Sequence, residues 1–364
     1  MLSMETAIVK KISWSRPGLQ CLEVSLGDKI ERALNYPSLA GTALPGHRVA
    51  LNTTAVRLGL GSGGYHFVIY NHSRDCLLPG CEGHILKLRY TPQQLKVKTY
   101  EEMLGSGKRA LSFEKYPGLQ RAPVILGELH SMLEPFIRVV KHLNPSRKIA
   151  YIMTDSASLP LQLSETVHRL KEEKLLEGAL SCGHAFGGDL ETVNIYTALI
   201  AAREKLKAEV IVVTPGPGVV GTATRYGFSS IELGDNIDRV RKMKGTPVVI
   251  PRLGFFDGRP RHYGLSHHTL TTLGEIAAMP AYLPLPSLDR KKMLLVWKQM
   301  KEARLLEKHR VVVIKRKNIF KGLQCFCHQF LTMGRGVKEE PAFFSAVASA
   351  AYFTEKMLCR SYYP

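Results

Sequence analysis

The residues best suited to chemistry in this sequence are three glycines in a row of small residues, three histidines in segments that hold glycine or serine, and one aspartate at the end of an apolar run. The densest stretch is TPGPGVVGT, residues 214–222. Gly216, Gly218 and Gly221 let backbone N–H groups approach a ligand closely, and a loop of such donors suits an anion. Thr214 and Thr222 bracket the loop with hydroxyls, and Arg225 just beyond it adds a positive charge that would complete an anion pocket. No Lys-Ser/Thr pair follows Gly221, and the spacing is not GxGxxG, so neither common nucleotide fingerprint is present. The plainer reading of the same residues is a tight Gly-Pro turn.

The other candidates are titratable. Asp155 in Thr154-Asp155-Ser156 can bind a metal, a ribose hydroxyl or a proton, or it can be a turn aspartate. His184 lies in CGHAFGGD with Gly187 and Gly188, ahead of an expected helix whose N-terminus would attract anions and lower a histidine pKa. His267 and His268 follow Ser266, a plausible N-cap. Adjacent histidines face different sides of a helix, so one lines a site while the other packs. Asp155 with His267 or His268 would supply acid–base groups, and His184 would orient or stabilise.

Metal signals are incomplete. Cys76, Cys81 and His84 make three ligands without a fourth, and Cys325, Cys327 and His328 do the same. Glu128, Asp155, Asp189 and His184 can hold a hard divalent ion only if they converge. No serine sits on a GxSxG elbow, and Cys182 is an outside candidate for a nucleophile. The residues name no cofactor and no oligomeric state.

These candidates need elements to hold them. Residues 1–115 look β-rich, with strand candidates at 22–26, 48–52 and 65–70 separated by Gly and Pro turns, as in a small barrel or sandwich. From Pro123 apolar runs alternate with helical periodicity: strands at 124–128, 148–153, 178–182, 208–213, 248–250 and 281–285, with helices between. Ser164 caps a helix over 164–176, and Asp189 caps one over 190–206. That alternation predicts a mostly parallel, Rossmann-like α/β sheet over residues 120–364, ending in a basic helix-strand-helix extension. In such a sheet ligands bind beyond the carboxyl ends of the strands, and each predicted strand ends at one of the candidates above or at Glu128, His130, Arg252, Asp257, Arg259 or Arg261.

Lys+Arg 50 against Asp+Glu 31 leaves a net charge of +19, which favours anionic partners. Residues 101–200 are the exception, with 11 basic and 12 acidic groups. The tail concentrates Arg304, Lys308, His309, Arg310, Lys315, Arg316, Lys317 and Lys321, which can track nucleic-acid phosphates or simply face solvent. Seven scattered cysteines, no apolar leader before Lys11 and no run long enough to cross a bilayer point to a cytoplasmic protein without a transmembrane segment.

The motifs MLSMETAIVKKI, LNTTAVRLGLGSGGYHFVIYN, TDSASLPL, CGHAFGGDLETVN, TPGPGVVGTATRYGFS and GLSHHTLTTLG occur in that order. With them the chain resembles, over essentially its full length, a bacterial family known as domain of unknown function 3866. The resemblance implies a bacterial cytoplasmic protein and brings no activity, cofactor or catalytic residue. The residues themselves favour an enzyme acting on a small anionic ligand, phosphorylated or nucleotide-like. The alternative is a non-enzymatic sensor that binds a metabolite in the α/β part and nucleic acid or a partner through the β part or the basic tail.

Overall fold

The computed structural model describes residues 2–74, 82–105, 113–315, 317, 319, 323 and 330–359. Cys76, Cys81, Arg316, Lys321, Cys325, Cys327 and His328 lie outside the described residues. The chain divides into two compact units, Met1–Lys98 and Thr99–Pro364.

Five strands of the first unit close into a barrel: β1 (Met4–Arg16), β2 (Leu19–Leu26), β3 (Lys29–Asn35), β4 (Arg48–Asn52) and β5 (His66–Asn71). Their order is β1-β2-β3-β5-β4, with β4 returning to β1. Only β3 and β5 pair in parallel. This is a five-stranded Greek-key barrel of the OB type, a topology that carries no function by itself. Ala7, Val9, Leu22, Val24, Ala33, Val49, Leu51 and Val68 fill its interior. The long strand β1 serves both neighbours because register shifts between Val9 and Lys11 and between Ile12 and Trp14 bend it. Those bulges also break its period-two pattern, which is why alternation alone does not single β1 out. A hairpin, β6 (Ile85–Lys87) with β7 (Leu95–Val97), completes the unit.

The second unit is an eight-stranded sheet. Its strands are β8 (Pro123–Gly127), β9 (Ile149–Thr154), β10 (Gly178–Ser181), β11 (Leu190–Glu191), β12 (Val210–Pro215), β13 (Thr246–Ile250), β16 (Tyr282–Pro286) and β17 (Arg310–Ile314). The intervening β14 (Leu253–Gly254) and β15 (Gly264–Leu265) form a separate antiparallel pair. The order is β11-β10-β9-β12-β8-β13-β16-β17, and every pairing is parallel. Strands β8, β9, β10, β12 and β13 are buried along their whole length, as expected of strands covered on both faces.

Helices cover the two faces. On one lie α1 (Leu133–Leu143), α2 (Glu165–Glu172) and the C-terminal α7 (Pro341–Cys359), through Phe136, Ile137, Val167, Leu170, Phe344 and Val347. On the other lie α3 (Ile195–Glu204), α4 (Glu232–Lys242) and α6 (Arg290–Glu302), through Ala198, Leu199, Leu233, Ile237, Val296 and Met300. Among the described residues no helix is long and apolar enough to cross a membrane.

Ser164 caps α2 as expected, accepting from the N–H of Val167 at 3.0 Å. The expected helix over residues 190–206 is shorter, and Asp189 does not cap it. Leu190 and Glu191 instead pair with β10, and the Asp189 carboxylate accepts from the N–H of Ala179 at 2.9 Å. Asn194 takes over as cap, accepting from the N–H groups of Tyr196 and Thr197 at 2.9 and 3.2 Å.

Candidate functional site

Because all strands of the sheet run the same way, their carboxyl ends meet along one edge. After β8 the chain crosses to β9 through α1 on one face, and after β12 it crosses to β13 through α4 on the other. β8 and β12 are neighbours, so their loops part company and leave a crevice, the switch point where ligands of open parallel sheets bind. A cavity of about 510 Å3 occupies this place.

Three strand ends line it. Leu129, His130 and Ser131 follow β8; residues 216–222 follow β12; Arg252 follows β13. The fourth wall comes from the loop between β14 and β15, which turns back with Arg259, Arg261 and His262, and from His268 on the short helix α5 (His267–Thr271). Gly264 at φ +83° permits that return; a Cβ there would meet Gln299 Oε1 at 2.3 Å.

The glycine loop combines a left-handed residue with a tightly confined one. Gly218 has φ +86° with open space around its α-carbon, a conformation other residues adopt only with strain. Gly216 is confined: a Cβ would lie 2.4 Å from Ser158 O. The N–H groups of Gly218, Val219 and Gly221 have no acceptor among the described residues. Beyond them the loop folds into a small hairpin, with Thr222 N–H bonded to Gly227 O at 2.7 Å.

Arg252 supplies the charge. It is half-buried and pairs with no carboxylate among the described residues; its side-chain neighbours are His268 Nδ1 at 3.5 Å and Met333 Sδ at 3.7 Å. Arg261, exposed at the rim, likewise has no carboxylate partner among the described residues. Arg259 differs, since Asp257 holds it at 2.6 Å and is in turn held well below the usual carboxylate range.

The histidines beside Arg252 are neutral. Burial, then the neighbouring His267 and Arg252, push His268 down to about 3; burial, then Arg252, push His262 to about 4. The His268 ring stacks on Phe228 at 4.0 Å, and Nδ1 of His262 sits 2.9 Å from Ser266 Oγ. His267 lies 4.2 Å from His268, ring to ring, outside the cavity lining; its Nε2 is buried with no hydrogen-bond partner among the described residues, and burial lowers its pKa. His130 is saturated instead. Pro215 O can only accept, at 3.2 Å, so Nδ1 carries the proton and Nε2 accepts from Ser164 Oγ at 2.7 Å. Burial pushes its pKa to about 4.

Behind Arg252 lies Glu128, fully buried. Burial raises its carboxyl to about 7 against the opposing Thr269 bond and the charge of Arg252. Thr269 Oγ1 also accepts the N–H of Arg252 at 3.1 Å, which ties the β13 end to Glu128.

The structure thus gathers Gly216, Gly218, Gly221, Thr222 and His268 around one cavity. Thr214 is buried beneath it, with Oγ1 bonded to Tyr151 at 3.2 Å. Arg225 stands at the hairpin tip, in an ion pair with Glu275 at 2.7 Å, outside the lining. Asp155 and His184 lie together at the ends of β9 and β10, where Asp155 Oδ2 accepts the His184 N–H at 3.0 Å. Gly183 lets them approach, since a Cβ there would lie 2.2 Å from Asp155 Oδ2. The Gly187 and Gly188 N–H groups are spent internally, on Glu191 at 2.6 Å and Ser181 Oγ at 3.1 Å. Among the described residues no group of three or more His, Cys, Asp or Glu is placed to hold a metal ion. His262 is the titratable lining residue that sequence inspection passes over; its signal is its position in the basic loop after β13.

A family model described as a protein of unknown function, DUF3866, matches residues 32–351. The chain belongs to the DUF3866 family. No curated protein and no solved structure matches it. The match spans the end of the barrel and nearly all of the α/β unit, so the crevice of this DUF3866 protein lies wholly within the family region.

Proposed function

We propose that the crevice between β8 and β12 binds a small anionic ligand, phosphorylated or nucleotide-like, and that the protein is an enzyme acting on it. The observation that carries this reading is Arg252: a half-buried guanidinium that has no carboxylate partner among the described residues and lines a cavity together with glycine-loop N–H donors that have no acceptor among them. A buried cation without a partner is costly, and an anion bound there removes that cost. Oriented backbone donors add charge-assisted hydrogen bonds. The neutral imidazoles of His268 and His262 accept or donate protons without repelling an anion, and Glu128, buried behind Arg252 and outside the lining, holds a proton up to about 7. Asp155, whose carboxylate accepts the backbone N–H of His184, stands with that histidine on the same sheet edge as a separate candidate for acid–base work.

The test is a thermal-shift panel of nucleotides, sugar phosphates and acyl phosphates on the full chain. A ligand at a hundredfold its dissociation constant adds about 2.7 kcal/mol. A shift from one class that disappears in Arg252→Ala names the substrate chemistry to assay. Turnover that falls in Glu128→Gln or His268→Gln while binding persists establishes an enzyme. Binding without turnover of any candidate returns the crevice to a sensor, and silence across the panel rejects the anion reading.

A further inference from the structure

The basic tail, which the crevice does not use, forms a second concave surface at the β17 border of the sheet. β17 is the last strand in the order and, among the described residues, is hydrogen-bonded on one side only, to β16. Between β17 and α7 lies a cavity of about 730 Å3, within the size range of small-molecule pockets. Its floor is apolar, with Val312, Ile314, Phe353 and Met357. Among the described residues its rim carries four exposed cations, Arg310, Lys315, Lys317 and Lys356, and no lining residue is a carboxylate. Two of the cations are held in place by rings. Arg310 lies 5.7 Å over Tyr282 and donates to its hydroxyl at 3.1 Å, and Lys356 lies 5.7 Å over Tyr352.

Charge selects the occupant. Lysines alone protect an edge strand from pairing, but protection does not require a cavity with an aromatic and aliphatic floor. A second copy adding its own β17 across a two-fold axis would set this row of cations against itself, which is repulsive. An acyl or aryl body on the floor, with one negative group at the rim, satisfies both halves of the surface. The cavity shares no lining residue with the crevice.

We infer that the groove between β17 and α7 binds an amphipathic anion, an aliphatic or aromatic body bearing a single phosphate or carboxylate head. The body covers Val312, Ile314, Phe353 and Met357, and the head pairs with Arg310, Lys356 and the lysines after β17. This site is independent of the crevice.

Calorimetric titration of the full chain with monomeric decyl phosphate tests it. Decanoate serves as the carboxylate arm, decyltrimethylammonium as the same body with opposite charge, and inorganic phosphate as the head alone. Decyl phosphate is expected to saturate one site at least about tenfold more tightly than the cationic chain or inorganic phosphate. Arg310→Glu with Lys356→Glu, and separately Lys315→Glu with Lys317→Glu, weaken it; all four side chains are exposed, so folding is spared. Arg252→Ala leaves it unchanged. Equal affinity for decyltrimethylammonium overturns the proposal, because the surface is then indifferent to charge. So do unchanged affinity in both double variants, loss in Arg252→Ala, or no saturable binding.

Discussion

Thr269 Oγ1 donates a 2.6 Å hydrogen bond to Oε1 of Glu128, while Oε2 of the same buried carboxyl has no hydrogen-bond partner among the described residues. One satisfied oxygen is too little to stabilise a buried carboxylate. The group therefore keeps its proton up to about 7, with the charge of Arg252 only partly opposing burial.

A stability slope follows. In the unfolded chain the Glu128 carboxyl titrates at its ordinary value of 4.5, and in the folded protein at about 7. Between these values the native state binds the proton and the unfolded state has lost it. Stability therefore falls as pH rises through the window and levels off above it. The shift corresponds to roughly 3 kcal/mol. Urea unfolding of wild type and Glu128→Gln at about pH 5 and about pH 8 should show the wild type losing roughly this much relative to the variant. Parallel losses in both proteins would mean that Glu128 titrates as an exposed carboxylate.

The buried imidazole of His130 acts in the opposite direction. Its folded pKa of about 4 lies below the ordinary 6.5. The stability it contributes is complete above 6.5 and is lost as pH falls through about 4. His130→Gln keeps a donor for Pro215 O and an acceptor for Ser164 without a group that titrates there. Its melting temperature should decline less steeply than that of wild type between about pH 6.5 and about pH 4. An unchanged acid limb would assign the loss to His262 and His268 instead.

Two arginines that look alike in sequence should behave differently. Arg225 is paired with Glu275 at the hairpin tip, and Arg252 has no carboxylate partner among the described residues. Arg252→Ala should weaken binding of a crevice anion by roughly tenfold to a hundredfold, as expected for a hydrogen bond to a charged group of about 1.5–3 kcal/mol. Arg225→Ala should leave affinity unchanged within about twofold. Titration calorimetry with the ligand identified by the thermal-shift panel separates them; equal losses would place the anion at the hairpin tip.

That contrast marks the limit of sequence reading here. Strands that alternate or run apolar, such as β4, β5 and β9, announce themselves, as does the helix capped by Ser164. Asp189 misleads because its carboxylate binds Ala179 N–H across a strand pair, a partner fixed only by tertiary structure. The loop of Gly216, Gly218 and Gly221 and the position of His268 follow from strand ends alone. Which arginine is left without a partner does not, because Glu275 reaches Arg225 from 50 residues away in the chain. Glu128 reads as a strand-end carboxylate, and only its complete burial reveals that it holds a proton.

The glycine loop offers the sharpest separation of fold from function. Gly218 occupies a left-handed conformation with no atom near the position of a Cβ, so the Cβ of Gly218→Val meets no clash within the chain, adds backbone strain and puts a side chain into the open space beside the loop where a ligand would approach. That strain is about 1–2 kcal/mol, a drop in melting temperature of about 2–4 °C per kcal/mol for a chain of this size. If the loop's N–H groups hold the anion, the variant folds, melts a few degrees lower and gains nothing from ligand. Gly216→Ala fails for a different reason, because its Cβ would meet Ser158 O at 2.4 Å and push the loop out of register. Val219→Ala, which alters neither conformation nor clearance, should keep full ligand stabilisation. The three variants are compared by melting with and without ligand. A Gly218→Val protein that still gains the wild-type shift would remove the loop from the site and leave Arg252 and the histidines to bind the anion alone.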